Sequence, residues 1–222
     1  MTARYLILGA GRFGRLALAR LVQKEPQAEF CLVDHDLRKL IFPLPPGDVA
    51  IRRVAGPATA YMAKALEART PPDWLIPAIP RHVAFEWLWQ RRPPGSHWRQ
   101  EPVPLIVGRD LPFKQRGAEG ELYLSVSTER CPDDCPEPAD RCYLTGLKRE
   151  FSLYRYLEDL SLQGFTSLVV RSRQLAPGVG GYRPAALWDL WRRTLAAAGS
   201  LLISTACRCH GVVHGLHKVN GR

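Results

Sequence analysis

Five of the six cysteines fall into two tight groups, Cys131-Pro-Asp-Asp-Cys135-Pro-Glu-Pro-Ala-Asp-Arg-Cys142 and Cys207-Arg-Cys209-His210. Thiolates gathered around one point bind zinc or an iron–sulphur cluster. Structural zinc favours Cys-x2-Cys spacing, which neither group has. Cys-x3-Cys-x6-Cys, with proline after two of the cysteines, suits an iron–sulphur cluster better, because cluster ligands come from irregular loops. The expected metal ligands are Cys131, Cys135 and Cys142, with Cys207 or Cys209 as the fourth and His210 also eligible. Disulfides or idle thiols are the bland alternative. Cys31, inside an apolar run, reads as an ordinary buried thiol.

The second chemical feature is Tyr5-Leu-Ile-Leu-Gly9-Ala-Gly11-Arg12-Phe13-Gly14. An apolar run breaks into three glycines, and a helical pattern with Leu16, Leu18, Leu21 and Val22 follows. A second apolar run, Phe30 to Val33, ends in Asp34 and His35. A lone G-x-G-x-x-G is weak evidence, but strand, glycines, helix, second strand and terminal acid in register point to a dinucleotide. Gly9 permits the tight turn, Gly11 the close approach of a pyrophosphate, and Gly14 the packing of helix on sheet. Helix-start N–H groups then face the phosphates. Arg12 and Phe13 lie inside the turn. Asp34, beside His35, accepts ribose hydroxyls, which favours NAD over NADP. A glycine-rich turn that binds nothing would not require Asp34.

Gly9-Ala-Gly-Arg-Phe-Gly14 with Val33-Asp-His-Asp36 resembles the RCK/KTN nucleotide-binding domains that regulate potassium channels and transporters. Gly56-Pro-Ala-Thr59 stands where that family has Gly-Asp-Ala-Thr, with Pro57 in place of the acid. The resemblance covers roughly residues 3 to 80. It implies a Rossmann fold and an adenine nucleotide such as NAD held by Gly9, Gly11, Gly14 and Asp34. It also implies a non-catalytic regulatory role as the alternative to an NAD-dependent oxidoreductase.

These residues need elements to position them. Strand-like runs alternating with helical patterns predict an α/β fold: a doubly wound, mostly parallel, Rossmann-like sheet with helices on both faces and a Cys-rich extension. The expected division is a nucleotide-binding half, residues 1–92, and a continuation of the same sheet, 93–222, in one compact domain. Predicted strands include 103–107, 121–127, 166–171 and 201–205, and predicted helices 149–162 and 184–198. If all strands run parallel, both cysteine groups leave the sheet at the edge that holds the glycine turn, where ligands of open α/β sheets bind. The loop Ala176–Tyr182 would fall there too, either covering a ligand, with Tyr182 as an acid or stacking ring, or serving only as a mobile connection. His82, just after a strand, is the other weak catalytic candidate, though a surface histidine is the commoner case.

The chain has 222 residues, 46% hydrophobic, enough for a buried core, and a net charge of +10. That balance favours acidic partners such as a dinucleotide. The basic residues are scattered in pairs, Arg52-Arg53, Arg91-Arg92 and Arg192-Arg193, which argues against a nucleic-acid groove. No apolar window approaches the roughly 18 residues of a membrane span, and the first apolar run is too short for a signal peptide. A soluble, cytoplasmic protein is expected. A homodimer is compatible with the sequence but not required by it.

Overall fold

A computed structural model describes residues 2–219. The chain divides into two compact units: Met1–Val83 with Arg173–Ala185, and Ala84–Ser172 with Ala186–Arg222. The expected boundary at 92/93 instead falls at 83/84, and a later segment of the chain returns to the first unit.

In order, the first unit holds β1 (Arg4–Leu8), α1 (Arg12–Lys24), β2 (Glu29–Asp34), α2 (Leu37–Leu40), β3 (Ala50–Ala55), α3 (Ala58–Glu67) and β4 (Trp74–Pro77). The four strands form one parallel sheet in the order β3-β2-β1-β4. Parallel neighbours need crossover connections, and α1 and α3 supply them. Ala17, Leu18, Leu21 and Val22 recur at helical spacing, so α1 buries that face. It packs with Ile7, Phe30, Leu32 and Ile76 of the sheet.

The chain then enters the second unit through α4 (Val83–Gln90), β5 (His97–Glu101), β6 (Phe113–Arg116), β7 (Leu122–Ser125), α5 (Leu153–Glu158) and β8 (Phe165–Arg171). It returns to the first unit as a hairpin, β9 (Arg173–Ala176) and β10 (Val179–Gly181), and finishes in the second as α6 (Pro184–Ala196), β11 (Gly199–Ala206) and β12 (His210–Val219). The hairpin closes the first unit. Leu175 and Val179 join its core. Lys24 and Arg20 on α1 donate to the carbonyls of Leu175 and Pro177, and Tyr182 exchanges backbone hydrogen bonds with Leu75 on β4. Ala176–Tyr182 is therefore part of a hairpin packed on the first unit.

The second sheet is mixed, in the order β6-β7-β12-β11-β8, with β5 also paired to β12. Only β8 and β11 are parallel neighbours, and α6 lies between them in sequence. β11 and β12 are joined by a short turn, so they must be antiparallel. The protein is thus a mixed α/β structure with a parallel four-stranded sheet and a separate mixed sheet, not one continuous mostly parallel sheet. The predicted strand 103–107 is absent. Pro104 opens a series of turns, with Val107 donating to Pro104, Arg109 to Ile106 and Leu111 to Gly108. Its valines are apolar because they plug the second core beside Leu122, Leu157, Leu202 and Val213. The predicted helix 149–162 is confined to Leu153–Glu158. Elsewhere in this unit, α4 and α6 meet through Trp87 edge-on to Trp188 at 5.3 Å, with the Arg91 guanidinium stacked over the Trp188 ring.

Among the described residues, no helix is long and apolar enough to cross a membrane.

Candidate functional site

In the first unit, β1 ends at Leu8 and α1 starts at Arg12, so the glycine turn sits where strand hands over to helix. Gly9 has φ +107°, and a Cβ there would lie 2.7 Å from the Ala78 carbonyl oxygen. A Cβ on Gly14 would lie 1.8 Å from the Gly9 carbonyl oxygen. Both glycines are demanded by the fold itself. Gly11 is different: a Cβ there would meet nothing within 4 Å. Arg12 and Phe13 open α1, Phe13 is 51% exposed, and the Arg12 guanidinium lies 5.7 Å from its ring centre.

Asp34 ends β2 and is buried. Its carboxylate accepts the N–H of Ala10 at 2.8 Å and of Asp36 at 2.9 Å, which ties the glycine turn to the second strand. Burial acts to raise its pKa, but the two N–H donors, with Lys39 and His35 nearby, outweigh it and hold the carboxyl below its ordinary value. His35 Nδ1 stands 3.4 Å from Asp34 and its side chain is exposed. The Asp34 carbonyl accepts the N–H of Gly56, and Pro57 caps α3.

His82 and Tyr182 are both buried. The Tyr182 hydroxyl has no hydrogen-bond partner, and burial pushes its pKa well above the ordinary phenol value.

The cysteines belong to the second unit and the second sheet, so they do not share a sheet edge with the glycine turn. They do share an end of their own sheet. β7 and β11 both run antiparallel to β12, hence parallel to each other. Their carboxyl ends, and the start of β12, deliver the loop after Ser125 and the turn Cys207–Cys209 to one place. Val126 donates to the Cys209 carbonyl at 3.0 Å there.

Two side chains tie the loop to the turn. Glu137, held at φ 49° between two prolines, accepts the Arg208 N–H at 2.6 Å. Arg149 donates through Nη1 to Cys209 Sγ at 2.7 Å, and through Nη2 to the carbonyls of Pro138 and Arg141. Its Nε is buried without a hydrogen-bond partner. Neither residue stood out in the sequence. The available signals were the prolines flanking Glu137 and the Lys148-Arg149 pair close behind Cys142.

The sulfurs gather accordingly. Burial first, then a hydrogen bond to Cys135 and the nearby Cys135, Cys209 and Cys142 thiols, pushes the Cys131 thiol up to about 12. Cys142 moves the other way, because the Thr145 hydroxyl and N–H, the Leu144 N–H and the Arg149 charge favour its thiolate. Cys135 Sγ accepts the Glu137 N–H at 3.4 Å. Burial raises Cys209 while Arg149 opposes the rise. Cys207, pushed by burial up to about 12, accepts the N–H groups of Cys209 and His210 within its own turn. His210 Nδ1 stands 4.0 Å from Cys207 Sγ, and burial lowers its pKa. Among the described residues no cysteine is joined in a disulfide. Among the described residues, no three His, Cys, Asp or Glu side chains are placed to hold a metal ion as they stand. A pocket of about 510 Å³ opens beside Cys131, Cys142, Cys209, His210 and Arg149.

Fold and site thus define a two-unit α/β protein with a glycine turn in one unit and a gathered thiol group in the other. Over residues 84–219 the chain matches the family described as AF_1314_C, uncharacterized protein, C-terminal domain, and it belongs to that family. It is also 30% identical over 153 residues to an uncharacterized protein of Archaeoglobus fulgidus, a match spanning 66% of each chain. No solved structure matches it.

Proposed function

We propose that the chain is a Rossmann-type NAD-binding protein that also carries a cysteine-ligated metal centre, an iron–sulphur cluster or zinc, and acts in redox chemistry. One observation carries the reading: Cys131, Cys135, Cys142 and a sulfur of the 207–209 turn arrive together at one end of the second sheet, held by Glu137 and Arg149. Thiols are the right donors for either centre, and N–H groups aimed at Cys135 and Cys142 are the surroundings that favour thiolates. Ligation requires the side chains to rotate from their present hydrogen-bonded positions. An iron–sulphur cluster would supply one-electron transfer, and zinc would supply Lewis-acid polarisation.

NAD binding is supported by the strand order β3-β2-β1-β4, by the clear space over Gly11 and by Asp34. Gly9, Gly11 and Gly14 would pass the pyrophosphate along the helix start and Asp34 would take the ribose, with Arg12, Phe13 and His35 at the rim. NADP fits less well beside two acids, Asp34 and Asp36.

The test is purification without oxygen, followed by metal and sulphide analysis and by NADH oxidation with a dye acceptor. Bound metal with dye reduction is the expected result. Chain free of both iron and zinc would end the metal reading. A second reading, a non-catalytic nucleotide or redox sensor of the RCK/KTN kind, is favoured by the burial of His82 and Tyr182. NAD binding without turnover would select it.

A further inference from the structure

Resting on the metal reading above, we infer that the fourth sulfur is Cys209, not Cys207, and that Arg149 is the counter-cation of the centre. Cys209 lines the same pocket as Cys131 and Cys142. Cys207 is the serious rival, because two N–H donors also suit a ligand thiolate. Its sulfur, however, points into the turn that it closes. It takes the N–H groups of residues 209 and 210 at 3.4 and 3.3 Å, both within its own turn. Cys207 shapes the turn, and Cys209 is what the turn presents.

Charge then explains Arg149. Four thiolates around a divalent ion, or around a cluster core of the same charge, leave a net charge of about −2 in a half-buried place. Uncompensated buried charge is costly. Arg149 brings one positive charge to 2.7 Å from Cys209 Sγ. Its Nη2 is fixed by two loop carbonyls, and its buried, unpartnered Nε is a spare donor for a second sulfur or a sulphide. One guanidinium therefore fixes the loop, orients the fourth ligand and offsets charge. Lysine, a point donor, cannot do all three.

The experiment uses the full chain, wild type and Cys207→Ser, Cys209→Ser, Arg149→Met and Arg149→Lys, each checked for fold by circular dichroism. Zinc, iron and acid-labile sulphide are counted per chain. Cobalt titration reads the number of thiolate ligands from the sulfur-to-cobalt charge-transfer intensity. Cys207→Ser should keep the wild-type metal count and full cobalt intensity. Cys209→Ser should lose about a quarter of the intensity and bind roughly 10- to 100-fold more weakly. Arg149→Met should keep the four-thiolate signature yet bind about 10-fold more weakly, with partial recovery in Arg149→Lys. Iron with sulphide marks a cluster, and zinc alone marks a mononuclear site. Metal-loaded wild type with an unaffected Cys209→Ser, or with loss in Cys207→Ser, overturns the assignment. Unchanged binding in Arg149→Met overturns the counter-cation role. A wild type that takes up neither metal nor cobalt refutes the metal reading itself.

Discussion

Gly9, Gly11 and Gly14 lack side chains for different reasons. A Cβ at Gly14 would collide with the Gly9 carbonyl, whereas a Cβ at Gly11 would stand in open space. Gly14→Ala should therefore lower stability by about 3 kcal/mol or more, read as a fall in melting temperature. Gly11→Ala should melt like the wild type but bind NAD at least about 10-fold more weakly, since its methyl occupies the space proposed for the pyrophosphate. Calorimetric titration checks this, and normal binding would remove the nucleotide from the turn. A second residue-scale expectation concerns His214, buried and stacked on Phe85 at 4.2 Å. Burial lowers its pKa to about 4. The unfolded chain then holds the extra proton between the ordinary imidazole value and about 4, so stability falls as pH drops through that window. The cost is on the order of 3 kcal/mol. His214→Phe should flatten that part of the melting-temperature profile. The glycines and Asp34 could be read from sequence because each acts on a near neighbour or on a strand already in register. Arg149 could not, because it works through two carbonyls and a sulfur that only the folded chain brings to it.

At the scale of elements, the first unit was legible and the second was not. β1, α1 and β2 announce themselves through continuous apolar runs and helical periodicity. β12 hides: Gly211, Gly215 and three histidines break any alternation along it, yet it pairs with β11, β7 and β5. Gly215 is required there, because a Cβ would lie 2.3 Å from the Glu101 carbonyl oxygen on β5. Near its end, Lys218 Nζ donates to the carbonyls of Thr194, Leu195 and Ala197. Those groups end α6 and have no acceptor role inside the helix. One cation thus caps the negative end of the helix dipole and anchors the strand. Lys218→Met should cost about 2 kcal/mol, seen as a lower denaturant midpoint with an unchanged slope.

For the whole molecule, the informative fact is that the first unit is discontinuous in sequence. The expected division at 92/93 assumed that neighbours in sequence share a unit. The hairpin β9–β10 breaks that assumption, and nothing in its short apolar runs reveals that Leu175 and Val179 complete a distant core. A fragment ending at residue 92 should therefore fold poorly, with broad unfolding and exposure of apolar surface to a hydrophobic dye. The same fragment carrying 173–185 on a flexible linker should recover a cooperative transition. Equal behaviour of the two fragments would mean that the hairpin is dispensable.

The same discontinuity sets an order of events during synthesis. The parallel sheet emerges from the ribosome first, but its closing hairpin follows about 90 residues later. At roughly 5–20 residues per second, the nascent sheet spends several seconds with α1 and the β4 edge uncovered. In that interval the half-finished first unit is a natural client for chaperones, and the rate of translation through residues 84–172 controls how long it remains one.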